Sequence, residues 1–365
     1  MSKPLIEDRS FLRHFWHPVC TREELEQANP SGRGPLAVTL LGEKLVVANL
    51  AGKIAVMQDR CAHRSAALSR GAVEGDQLRC NYHGWRYDAS GRTVHIPACP
   101  EQPIPRKARS PAYECEMRYD LVWVRLDSSW QCTEIPYFSE WDKPEMRNVV
   151  VPSYVWNTAP ERRWENFTDL SHFAFVHPGT LYDPGFDRPP VPSVDRVDGE
   201  MRFAIEPPPE MQDKLPENSP LGSFTYRCSM PYSINLVISL YRDGTTFTLW
   251  TTASPIDESH CRNFLIVSRA QKDDDPDNAH LAFQKQVLLE DQPIIESQTP
   301  AEITMDEVSL VTDKVSNQYR KWMRELSLAA LDGKDAFVKA LQTNAIDKRL
   351  VQSPAMTLGA TETTT

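Results

Sequence analysis

A chain of 365 residues exceeds what one compact core usually holds, so two domains are expected. Its 41% apolar and 25% charged residues fit a globular protein, and a formal net charge of −10 with no long basic run disfavours nucleic acid and anionic membrane surfaces as partners. No stretch approaches the roughly twenty apolar residues of a membrane span, and Met1 to Arg13 carry charges rather than the apolar run of a secretion signal, so the eight scattered cysteines are read as thiols of a reduced, cytoplasmic compartment.

From Phe11 to about Asp127 the pattern is one of short strands joined by turns, with residues 36–50, 53–58 and 121–126 rich in Val and Leu. Gly32-Arg33-Gly34 is followed by Pro35 and by no third glycine opening a helix, so no NAD or flavin site is visible. Cys61-Ala62-His63 and Cys80-Asn81-Tyr82-His83 then give C-x-H, sixteen intervening residues and C-x-x-H, with one Cys and one His per loop. Two thiolates and two imidazoles are the ligands of a Rieske [2Fe-2S] centre, where thiolates hold one iron and imidazoles the other. Zinc is the competing reading, although the common zinc finger places both cysteines in one knuckle and both histidines on a helix. Asp59, Arg60, Arg64 and Ser65 flank the first loop. Gly84 would let backbone amides approach the cluster, and Trp85 either shields it from water or fills the core. Pro136, Pro144 and Pro152 argue against a long helix before Ala159, and the domain boundary is placed near Ser128. The expected division is 1–127, 128–350 and a disordered, Thr-rich tail over 351–365.

Thr158 and Glu161 stand at capping-box spacing ahead of a stretch running from Glu165 through Asn166, Asp169 and His172 to His177, which Pro178-Gly179 stops; a single helix is expected. On it Asp169 and His172 share a face, whereas His172 and His177, five apart, converge only if the last turn loosens. Two imidazoles and a carboxylate that leave open positions form the donor set of non-haem Fe(II) oxygenases. The alternative is a pair of ordinary polar histidines on an amphipathic helix. The proline-dense residues 182–220 read either as a lid over that pocket or as a passive surface loop. Residues 224–230, 234–241, 246–254 and 263–270 alternate as antiparallel strands, with Asp243-Gly244 as a hairpin turn. Residues 277–298 read as a helix, with a possible kink at Pro293, whose one face carries Leu281, Gln284, Leu288 and Asp291. Asp291 is the best candidate to complete a two-histidine iron site, with a solvated surface carboxylate as the alternative. Gln284 and Leu288 would then line the substrate cavity, where an amide suits a ligand bearing adjacent carbonyl and N–H groups. Val308, Val311, Val315, Tyr319, Trp322 and Leu326 mark a long amphipathic helix packed on the sheet.

Cys61/His63/Cys80/His83 followed by Glu165-x3-Asp169-x2-His172-x4-His177 resembles the pattern of Rieske non-haem iron oxygenases, and the resemblance spans about residues 11–341. It implies an α+β chain: an N-terminal all-β Rieske [2Fe-2S] domain, then a helix-grip (START-like) catalytic domain with an antiparallel sheet and a long C-terminal helix. It also implies that His172, His177 and Asp291 bind a mononuclear Fe(II) that uses O2 as cosubstrate. Asp169 would bridge electrons from a Rieske histidine of a neighbouring subunit in a head-to-tail trimer, homomeric or mixed with a sister subunit. A separate NAD(P)H-dependent reductase would supply the electrons. Residues 13–20, 161–169, 177–181 and 316–322 are similar to segments of bacterial methylxanthine N-demethylases. Gln284 and Leu288 resemble the N3-specific, theobromine-type members, whose N1-specific counterparts carry Asn and Phe there. The implied reaction is O2-dependent N-demethylation of theobromine to 7-methylxanthine and formaldehyde. The alternatives are an N1-specific demethylase, or an O-demethylase or hydroxylase of another aromatic substrate.

Overall fold

In the computed structural model, which describes residues 3–28, 33–181, 189–206, 222–239, 246–271 and 276–346, strands dominate the first third of the chain. β1 (His17–Thr21) leads into a short helix, α1 (Arg22–Gln27), opened by a capping box between Thr21 and Glu24. β2 (Leu36–Leu40), β3 (Glu43–Leu50) and β4 (Lys53–Gln58) follow as consecutive hairpins, and the run read as one over 36–50 is split by a turn at Leu41-Gly42, both with positive φ. Four short strands, β5 (Ala72–Glu74), β6 (Gln77–Arg79), β7 (Arg86–Tyr87) and β8 (Thr93–His95), form their own sheet. β9 (Ala112–Arg118) and β10 (Leu121–Arg125) then return to the first sheet, whose order is β1-β10-β9-β4-β3-β2. β3 is apolar without a break because both its faces are covered: Leu45 and Val47 enter one core, Val46, Ala48 and Leu50 a second one that holds Cys61, Leu78, Cys80 and Tyr87.

An eight-stranded antiparallel sheet makes up the rest of the β-structure. It comprises β11 (Met146–Val150), β12 (Tyr154–Trp156), β13 (Asp195–Val197), β14 (Glu200–Ile205), β15 (Ser223–Ser229), β16 (Ser233–Ser239), β17 (Thr246–Pro255) and β18 (Cys261–Ala270), in the order β11-β18-β17-β16-β15-β14-β13 with β12 also on β18. The α+β, helix-grip expectation is met: α2 (Pro160–Thr168), α3 (Phe173–Val176), α4 (Asp277–Glu296), α5 (Lys314–Leu331) and α6 (Lys334–Gln342) complete the fold, and α5 sends Val315, Tyr319, Trp322 and Leu326 into the same core as the sheet's Met201, Tyr226, Leu236 and Leu265. No helix among the described residues is long and apolar enough to cross a membrane.

Four expectations need correcting. The helix expected from Thr158 to His177 breaks at Asp169, and Thr158 does not cap it, since Ala159 is the N-cap and Pro160 opens the first turn. Val308 and Val311 lie ahead of α5 and are 88% and 74% exposed, so the apolar stripe begins at Val315. Within 182–220, read as irregular throughout, β13 and β14 form a hairpin turned by Asp198-Gly199, which both adopt positive φ. The same turn chemistry expected at Asp243-Gly244 lies outside the described residues, as do 182–188, 207–221 and the tail 351–365. β16 ends at Ser239.

The two halves are joined by more than one chain crossing. Leu41 N–H donates to Pro255 O at 2.8 Å, Gly42 N–H to Ile256 O at 2.7 Å, and the Ser254 hydroxyl to Pro18 O. A shared aromatic core holds Trp16 and Trp123 from the first half against Phe138, Trp250 and Phe264 from the second.

Candidate active site

α2 ends because its own C-terminal residue competes with it. Asp169 is extended (φ −96°, ψ 135°), and its Oδ1 accepts the Ser171 N–H at 2.9 Å, a local turn that replaces the next helical bond. The chain restarts as α3 with His172 at its N-cap and His177 at its C-cap, so two imidazoles that a continuous helix would separate stand 5.3 Å apart between ring centroids. α4 brings Asp291 to them. Its Oδ1 lies 3.3 Å from His172 Nε2 and 3.1 Å from His177 Nε2, and one donor atom from each of the three residues falls within 4.8 Å of the others. His177 is fully buried, and its Nε2 makes no hydrogen bond.

Each of the three is held from behind. His172 Nδ1 faces Asp169 Oδ2 at 3.2 Å, His177 Nδ1 faces Glu290 Oε2 at 2.7 Å, and the Asn166 amide donates to Asp291 Oδ1 at 3.0 Å. Burial depresses the His172 imidazole, but hydrogen bonds to Asp169 and Asp291 outweigh it and raise the ring to about 9. Burial pushes the Asp291 carboxyl up, yet the two imidazoles beside it hold it well below the ordinary carboxylate range. The trio thus favours a positive charge between its members, whether protons or a metal ion. Glu165 is committed elsewhere, with both its oxygens on the Arg320 guanidinium at 2.6 and 2.7 Å.

The apolar side of the trio faces an open-mouthed cavity. Phe173, Phe224, Leu236, Leu249 and Val287 line it, and α4 adds Gln284 two turns and Leu288 one turn before Asp291. Gln284 is 8% exposed and its amide makes no hydrogen bond among the described residues. Leu281, expected on that face, does not line the cavity. A second, polar cavity shares Asn166, His172 and Asp291 with the first and includes Asp169, Glu165 and Arg320.

In the first half of the chain, two tight loops present Cys61/His63 and Cys80/His83. Ser65 N–H returns to Cys61 O at 2.9 Å and Gly84 N–H to Cys80 O at 3.0 Å. Gly84 has φ +70°, and a Cβ there would sit 3.0 Å from the Pro97 ring, which explains the glycine by backbone shape and crowding. Both cysteines are buried free thiols, and the His63 and His83 rings lie 4.6 Å apart. Tyr87 Oη accepts the Ala62 N–H at 3.0 Å and lies within hydrogen-bond distance of Cys61 Sγ, also at 3.0 Å. Trp85 packs against the core, one of the two readings given to it, and stacks on His63 at 4.7 Å with 4° between planes.

Residues 15–110 match the Rieske [2Fe-2S] domain family and residues 156–329 the vanillate O-demethylase oxygenase C-terminal domain family. Over 350 residues, 95% of this chain and 98% of the relative, the sequence is 58% identical to the methylxanthine N3-demethylase NdmB of Pseudomonas putida. The chain belongs to the Rieske non-haem iron oxygenases. The methylxanthine N1-demethylase NdmA of the same organism is 52% identical over 95% of this chain and 98% of its own. Solved structures agree: NdmA with caffeine superposes with a TM-score of 0.89 over 93% of this chain and 98% of that one, and NdmB with 0.88 over 95% and 100%.

An oxygenase of this family carries a Rieske cluster and a mononuclear iron, and the residues fit both. Cys61 and Cys80 are buried thiols on the two loops that carry His63 and His83, and His63 Nδ1 and His177 Nε2 are buried nitrogens with no hydrogen-bond partner, as ligand atoms would be. Asn166 and Glu290 are the supporting groups that sequence reasoning passed over. Asn166 lay inside the motif, and Glu290 directly precedes Asp291.

Proposed function

We propose that this oxygenase removes N-methyl groups from methylxanthines, with a preference for the N3-methyl of theobromine, giving 7-methylxanthine and formaldehyde. The observation that carries the reading is a two-histidine, one-aspartate trio beside an apolar cavity lined by a buried Gln284. His172, His177 and Asp291 would hold the mononuclear iron; Cys61, His63, Cys80 and His83 would hold the cluster. When bound, the two centres pass two electrons to O2 and place one of its oxygen atoms into a C–H bond of the substrate, with two protons converting the other to water. The resulting N–CH2OH compound loses formaldehyde and leaves an N–H.

The chain's own residues supply position and dryness. Gln284 would pair with a carbonyl and an adjacent N–H or ring nitrogen of the xanthine, and Leu288 would shape the space next to the chosen methyl. A substrate turned the wrong way leaves the buried amide unpaired, which is costly enough to discriminate between methyl groups. Phe173, Phe224 and Leu249 exclude water from the reacting carbon. Asp169 holds the Nδ1 side of His172 and borders the polar cavity, which supports its reading as the electron bridge from a Rieske histidine of a neighbouring subunit.

A head-to-tail trimer, homomeric or shared with a sister subunit, would bring that histidine close, and a separate NAD(P)H-dependent reductase would feed the cluster from the cytoplasm. We place the domain boundary near Ser128, between β10 in one sheet and β11 in another. A second reading, O-demethylation of an aromatic ether, is favoured only by the match of residues 156–329 to the vanillate O-demethylase family. Purified protein, a Rieske-oxygenase reductase and NADH, given caffeine, theobromine, 3-methylxanthine or vanillate, test both. Formaldehyde with 7-methylxanthine from theobromine is expected; loss of an N1-methyl from caffeine, or turnover of vanillate alone, overturns the N3 assignment.

A further inference from the structure

Glu290 is the residue before Asp291 on α4, and the reaction as proposed gives it nothing to do. Its carboxylate nevertheless makes three polar contacts with groups around His177. Oε2 accepts the His177 Nδ1–H at 2.7 Å, and Oε1 accepts the Thr180 hydroxyl at 2.8 Å and the Gln286 amide at 3.1 Å. The Gln286 amide also donates to Thr180 Oγ1 at 3.1 Å, which closes the set.

Two observations separate this from a surface ion pair. A neutral imidazole carries one ring proton, and an acceptor that keeps it on Nδ1 leaves the Nε2 lone pair free; that Nε2 is buried, makes no hydrogen bond and stands 3.1 Å from Asp291 Oδ1. The other carboxylate oxygen secures the turn after the ring, because Thr180 N–H bonds His177 O at 3.1 Å while its hydroxyl returns to Glu290. One side chain thereby fixes both the far nitrogen of the imidazole and the backbone that carries it. His172 has Asp169 in the matching position, so the two histidines are each backed by a carboxylate from a different element.

We infer that Glu290 is the positioning residue of His177: it sets the tautomer and holds the ring plane so that Nε2 faces the mononuclear iron. This rests on the reading of His177 as an iron ligand. The test is ferrous-ion binding by cluster-loaded protein stripped of its mononuclear iron with a chelator, for wild type, Glu290→Ala, Glu290→Gln and Thr180→Val, with the visible circular dichroism of the cluster and thermal unfolding recorded alongside.

Glu290→Ala is expected to weaken ferrous binding about 10–100-fold with an unchanged cluster spectrum. Glu290→Gln, which keeps an oxygen for Nδ1–H, recovers part of the loss, and added acetate restores part of it in the Ala variant; a merely structural residue would show neither recovery. Thr180→Val loses only the support of Oε1 and weakens binding several-fold. Ferrous affinity within twofold of wild type in Glu290→Ala, or in both other variants should that one not fold, overturns the inference. A His177→Ala protein that still binds ferrous ion normally would instead defeat the iron-site reading itself, so the two failures are distinguishable.

Discussion

Gln284 and Leu288 sit two turns and one turn before Asp291, and at that spacing their side chains meet whatever approaches the metal trio. If Gln284 orients the ring and Leu288 leaves room for the N3-methyl, then Gln284→Asn with Leu288→Phe should move oxidation toward the N1-methyl, changing the product ratio about 10-fold or more, the usual worth of a misplaced buried hydrogen bond. Unchanged regiochemistry by product chromatography would remove both from the specificity set. A different residue carries a pH effect. Burial pushes the His17 imidazole down to about 4, only partly offset by its bond to Leu12 O, whereas an unfolded chain protonates at about 6.5. Between those values the unfolded chain binds the extra proton, so the folded state loses stability as pH falls, by up to about 3 kcal/mol at 1.36 kcal/mol per pH unit. His17→Gln should flatten that part of the urea-unfolding pH profile; a slope identical to wild type would show that His17 does not contribute.

At the level of elements, α2 matters because it carries Asn166 and ends at Asp169, and it is fixed to α5 by the parallel stack of Trp164 on Tyr319, with centroids 3.8 Å apart. Both rings are almost wholly buried, so Tyr319→Ala should cost about 3–5 kcal/mol in urea unfolding and loosen the trio without touching the cluster loops. A cost below about 1 kcal/mol would mean that the stack does not hold α2. The same elements explain what the sequence disclosed. The α4 face was readable because Gln284, Leu288 and Asp291 recur at helical spacing in a helix with no competing local bond. The break between α2 and α3 was not, because it depends on whether the Asp169 carboxylate caps its own neighbour, and period counting does not weigh that. The β13–β14 hairpin was hidden by surrounding prolines although Asp198-Gly199 marked its turn. Glu290 escaped because a glutamate on an exposed-looking helix is ordinarily solvated, and its partners, His177 and Thr180, come from more than a hundred residues away. The ligand order of the cluster loops was legible in full, since C-x-H and C-x-x-H carry their meaning in sequence.

Over the whole molecule, charge is divided unevenly: residues 53–110 hold ten Lys and Arg against five Asp and Glu, in a chain with 40 against 50. The cluster loops therefore lie in a basic region of an acidic protein, and close approach of an acidic surface is favoured there. The halves are also mechanically one piece. Trp16 and Trp123 share a core with Trp250 and Phe264, and backbone bonds tie Leu41 and Gly42 to Pro255 and Ile256. Tryptophan fluorescence and far-ultraviolet circular dichroism should therefore report one coincident thermal transition; two resolved steps would show that the halves unfold separately.

That rigid seam has a further meaning for how current reaches the substrate. A cofactor anchored to a body that does not bend cannot ferry charge by travelling, as a swinging head on a flexible neck would. In the proposed trimer its reach would be set once, as the subunits come together, and electron delivery would depend on which surfaces are neighbours rather than on a hinge.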